Sequence, residues 1–98
     1  MDTDTDTWHI TPTGGNVFAD LGFEPVEAQK LKIKSELMIE LSRWIKENEL
    51  KQEEAAKVLK VSRPRVSDVM RGKVAKFTID ALVDMVELTG HHVNMSVS

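Results

Sequence analysis

Arg63, Arg65, Ser67, Arg71 and Lys73 bring guanidinium, hydroxyl and ammonium donors into eleven consecutive residues. Val66 and Val69 are interleaved with them, three apart, which puts both on one side of a helix and most of the donors around the rest. Such a set suits an anionic partner rich in acceptors, because guanidinium forks match phosphate oxygens and base edges. Catalytic chemistry has no comparable foothold. There is no nucleophile elbow, no carboxylate pair with a supporting histidine, and Gly14-Gly15 is too short a glycine run to cradle a phosphate. The chain has no cysteine, so disulfides, thiolate metal sites and cysteine nucleophiles are excluded. His91 and His92 are adjacent in a strand-like segment and point to opposite faces, so they do not chelate one ion together. They read as an exposed pair at a strand start and make no metal site with His9, so neither a metal nor a cofactor is expected.

The formal net charge is −3, which taken alone argues against a nucleic-acid partner. Its distribution argues the other way. Residues 1–24 hold Asp2, Asp4, Asp6, Asp20 and Glu24 and no lysine or arginine. Residues 57–76 hold seven cations against Asp68 alone, and a local positive field steers a polyanion whatever the total charge. Asp68 is out of place on such a surface. It either accepts from a cytosine amino group or pairs with Arg65 or Arg71, and the internal pair is the favoured reading.

The elements that must position these donors lie in the stretch KQEEAAKVLKVSRPRVSDVMRG, residues 51–72. Two short helices that cross closely need a small residue at the crossing, which Ala56 supplies with Ala55 beside it. Leu59 from the first helix and Val66 and Val69 from the second fill the space between them. Ser62 is a good N-cap for the second helix, and Pro64 is tolerated in its first turn. Arg63, Pro64, Ser67, Asp68 and Arg71 are left for the outward and end surfaces. A first helical turn presenting Arg63 and Arg65 suits entry into a DNA major groove.

Around this centre, 98 residues allow one small domain. Residues 1–24 read as an arm, with its first residues disordered. Trp8, Ile10, Val17, Phe18, Leu21 and Phe23 are too apolar for a purely solvated tail. They pack back on the helical domain or meet a second subunit or another protein. Residues 25–90 read as helical. Pro25 suits a first helical position, and a short helix over 25–32 would turn Val26 and Leu31 inward. Ile33, Leu37, Leu41, Trp44 and Ile45 form the stripe of a helix over about 33–48; whether a break separates the two is open. Thr78 is a candidate N-cap, Ile79, Leu82, Val83 and Val86 continue the pattern, and Gly90 suits the C′ position. From 91 to 98, Val93, Met95 and Val97 alternate with polar residues, a strand signal. A strand without a partner in its own chain would pair antiparallel with its copy across a two-fold axis, making these three residues dimer contacts. No apolar run approaches the roughly 20 residues of a membrane helix, and the acidic, polar start does not resemble a signal peptide. A cytoplasmic location is expected.

With Gln52, Ala56, Val61, Ser62, Val66, Ser67, Val69 and Gly72 in place, residues 51–72 resemble the helix-turn-helix of the Xre/Cro, lambda-repressor-like family. The resemblance implies an all-α, five-helix DNA-binding domain, here extended by the short C-terminal strand. It implies that Gln52 opens the first helix and bonds a phosphate, that Arg63, Pro64 and Ser67 read bases, and that Lys73 touches the backbone. Ser62, Arg65 and Arg71 complete the expected contact set, with Arg65 on a phosphate. Lys60 stands where the family has a turn glycine, which implies a left-handed lysine. Lys51 replaces a threonine and forfeits its cap.

The flanks, GNVFADLGF at 15–23, the helix around 33–48, and FTIDALVDMVELTG at 77–90 followed by a strand, resemble small Xre-type antitoxins. Such proteins pair with a RelE-like or host-inhibition-of-growth ribonuclease toxin and repress their own operon. The expectation is therefore a homodimeric, sequence-specific repressor on double-stranded operator DNA, acting as the antitoxin of a type II toxin–antitoxin pair. The alternative is a stand-alone phage or accessory regulator without a toxin. A third is a protein-interaction module that has lost DNA binding.

Overall fold

The computed structural model describes residues 7–10, as backbone, and residues 17–96. The expectations for residues 1–6, for the side chains of Trp8, His9 and Ile10, and for Val97 lie outside the described residues. Among those described there are five α-helices, α1 (Val17–Asp20), α2 (Pro25–Glu47), α3 (Gln52–Leu59), α4 (Arg63–Met70) and α5 (Ile79–Leu88). A 3-10 turn, Val74–Lys76, joins α4 to α5, and two short strands, β1 (Thr7–Ile10) and β2 (His92–Met95), stand at the two ends.

The two-part reading of residues 25–48 resolves into one continuous helix. Pro25 occupies its start, and neither glycine nor proline follows before Glu47, so nothing in the chain interrupts the ladder. Its buried side includes Leu31, Ile33, Leu37, Met38, Leu41 and Ile45. Val26 does not turn inward as expected; it is 64% exposed, because the first turn of α2 projects past the core and Ala28 is the first residue to reach cover. The helix stops at Asn48, whose side-chain amide donates to the Trp44 carbonyl at 2.9 Å. Glu49 then takes the left-handed conformation, with φ of 52°, and the Leu50 N–H reaches back to the Ile45 carbonyl at 3.0 Å.

A single core gathers Leu37 and Leu41 of α2, Ala55 and Leu59 of α3, Val66 and Val69 of α4, Phe77, and Leu82 and Val86 of α5. Ala55 is wholly buried and Ala56 nearly so, which lets α3 and α4 approach each other. Thr78 caps α5 as expected, its Oγ1 accepting the Ala81 N–H at 3.0 Å. Gly90 ends that helix with φ of +91°.

The C-terminal strand corrects one expectation. β2 has a partner within its own chain: β1 lies parallel to it, with Thr7 opposite His92 and Ile10 opposite Met95. A parallel pair needs a long crossover, and here the whole helical body supplies it. Val93 rests half-buried on the core, while Met95 is 43% exposed.

Candidate DNA-binding surface

α3 is held at its start by half of a capping box. The Glu54 carboxylate accepts the Lys51 N–H at 2.7 Å, and the reciprocal bond is missing because an ammonium has no acceptor. Gln52, the first residue of α3, is half-buried, and its amide Nε2 lies 3.8 Å from the Met70 sulfur. The start of α3 and the end of α4 are therefore neighbours. Between the helices, Lys60 adopts the left-handed conformation read from the sequence, φ 57° and ψ 41°, and the Val61 N–H returns to the Ala56 carbonyl.

Ser62 occupies the N-cap of α4 in extended conformation, its carbonyl accepting from Arg65 and Val66. Its hydroxyl makes no capping bond and is exposed. Val66 and Val69 anchor α4 by full burial. At 100° per residue, Pro64, Ser67 and Asp68 then fall on the outer side, with Arg63 at the leading flank. Arg63, Pro64 and Arg71 are exposed and Ser67 is half-buried.

Arg65 takes the opposite flank and is tied to its own fold. Its guanidinium lies over the Phe77 ring, 4.1 Å from carbon to centroid, and Nη1–H donates to the Lys76 carbonyl at 2.9 Å. Nothing in the reading of the sequence pointed to this clip; the one signal was an aromatic residue immediately after the basic run.

Asp68 pairs with neither Arg65 nor Arg71. The chain reverses at Gly72, φ +70°, where the Lys73 N–H closes onto the Asp68 carbonyl at 3.0 Å. The reversal brings Lys73 and Lys76 alongside, and their ammonium groups lie 4.0 and 3.8 Å from the Asp68 carboxylate. At these distances and exposures the pairs add little stability. Their consequence is electrostatic: the single acid of the basic stretch is flanked by two cations.

The arm is partly packed. Phe18 and Phe23 meet edge to face at 6.2 Å, closing α1 against the start of α2, while Val17, Leu21, Phe23 and Val26 remain substantially exposed. At the other end, His91 Nδ1 lies 2.9 Å from Thr89 Oγ1 and His92 Nδ1 3.1 Å from the Glu87 carboxylate.

Two short helices crossing at alanines, the second with Arg63, Pro64 and Arg71 exposed and its valines buried, are the architecture of a DNA-binding helix-turn-helix domain. Comparison with known families agrees. Residues 17–98 match the model of a helix-turn-helix domain family, and the chain belongs to that family. No curated protein matches it. Among the described residues no helix is long and apolar enough to cross a membrane.

Proposed function

We propose that the protein is a dimeric, sequence-specific transcriptional repressor. The observation that carries this reading is the state of α4: Arg63, Pro64 and Arg71 are exposed with Ser67 beside them, and Asp68 is flanked by Lys73 and Lys76. Arg63 and Ser67 read base edges in the major groove, Pro64 packs against the bases, and the Ser62 hydroxyl, Gln52, Arg71 and Lys73 bind phosphates. Arg65 keeps further N–H groups for a phosphate beyond the one given to Lys76. Two copies place their α4 helices in successive major grooves, roughly 34 Å apart, on a near-palindromic site. β1 covers one edge of β2, which leaves the other edge for a two-fold contact through Val93 and Met95.

A mobility shift on the DNA upstream of its own gene, against random DNA at physiological salt, tests the reading. A specific shift by a dimer is expected. Equal weak binding to both DNAs would overturn the repressor, and a sedimenting monomer would overturn the dimer.

The finer reading is an antitoxin that neutralises a RelE-like ribonuclease. It is supported by the exposed Val17, Leu21, Phe23 and Val26, set among Asp20, Glu24 and Glu27 with no cation before Lys30. Apolar contact with an acidic border suits a small basic protein. Co-expression with the neighbouring gene decides it. Rescue of growth from a toxic neighbour is expected; a harmless neighbour, or one that this chain does not restrain, leaves the stand-alone regulator.

A further inference from the structure

A cleft of about 400 Å³ opens between α2 and the end of α4. On the α2 side, Ser35, Ile39, Ser42 and Lys46 follow one another at steps of four, three and four, and so form one stripe down the helix. The serines are short, which keeps the space open. Val69, Met70 and Gly72 form the other wall. Lys46 is exposed and has no carboxylate partner among the described residues. Arg43 stands beside it at the rim, its Nη1 held by both oxygens of Glu40 at 2.9 and 3.2 Å. Among the described residues, Glu47 is the one acid that lines the opening.

The position of this cleft gives it meaning. Met70 lines it and also receives the Gln52 amide, so the opening lined by Arg43 and Lys46 adjoins the residue assigned to a phosphate.

We propose that the cleft is a second backbone-binding position, where Lys46 takes the phosphate next to that of Gln52 and Arg43 leaves Glu40 to join it. The proposal rests on the DNA-binding reading of α4. Glu40 acts as the resting partner of Arg43, so each DNA strand bound exchanges one exposed ion pair for a phosphate contact.

The test is fluorescence anisotropy of the full chain with a labelled random-sequence duplex over a salt series. Lys46→Ala lowers the slope of log affinity against log salt by about 0.9, Lys46→Arg restores it, and Glu40→Gln binds several-fold tighter than the parent. Lys46 is exposed, so the thermal transition of Lys46→Ala should match the parent. An unchanged slope in Lys46→Ala, while Lys73→Ala lowers it, overturns the proposal and leaves α4 as the reading element. An unchanged affinity in Glu40→Gln removes the exchange assigned to Arg43. If the parent itself binds no duplex at low salt, the DNA-binding reading fails as well.

Discussion

The guanidinium carbon of Arg65 stands 4.1 Å from the centroid of Phe77, and the same side chain donates to the Lys76 carbonyl. One residue of α4 is thereby fixed to the segment that leads into α5. Phe77 is 3% exposed, so the ring is itself held by the core, and the clip sets how α4 is presented.

Arg65→Ala removes the ring contact and a charge-assisted hydrogen bond. The expected loss is about 1–2 kcal/mol, read from urea unfolding, with weaker DNA binding beyond the loss of one charge. Arg65→Lys should recover part of the stability, since an ammonium still sits over the ring but lacks the planar fork. Full stability in the alanine variant would contradict the clip.

Lys60→Gly should stabilise the domain by about 1 kcal/mol, because a side chain at φ of 57° carries a steric cost that glycine escapes. Thermal unfolding checks it, at about 4–8 °C per kcal/mol for a domain of this size. Lys60→Ala keeps the β-carbon and should give no such gain.

Thr78→Ala deletes the acceptor for the Ala81 N–H and should cost about 1 kcal/mol. Thr78→Ser should be nearly silent. Denaturant midpoints compared at equal slope decide between them.

On the proposed base-reading role, Arg63→Ala is expected to relax sequence preference by roughly 1–3 kcal/mol at one base pair. Competition between the upstream site and random DNA measures this. Equal weakening on both would move Arg63 from the bases to the backbone.

The motif was legible because it constrains many positions at once. Small residues at Ala55 and Ala56, apolar ones at Leu59, Val66 and Val69, and Gly72 after the helix agree with one geometry. The cap at Thr78 and the stop at Gly90 follow from local chemistry in the same way. Other features depend on tertiary placement. Glu49 ends α2 in a left-handed turn without a glycine to announce it. Asp68 finds its lysines because Gly72 reverses the chain, which is beyond helical spacing. Val26 carries the right residue type but sits past the edge of the core. The partner of β2 was hidden because β1 is four residues long and lies at the far end of the sequence.

That last pairing bears on the order in which the molecule assembles. Thr7 and His92 are 85 positions apart, so joining them closes a loop around everything else, at an entropic cost that grows with its length. The contacts within α2 to α5 span shorter separations, which favours their earlier formation. The strand pair is accordingly expected to form last and open first, and its amides should exchange with solvent while those of Leu41 and Leu82 stay protected. Each departure of β1 bares a full edge of β2 in an otherwise folded domain, which makes domain swapping of that strand between two copies the natural misassembly of this chain.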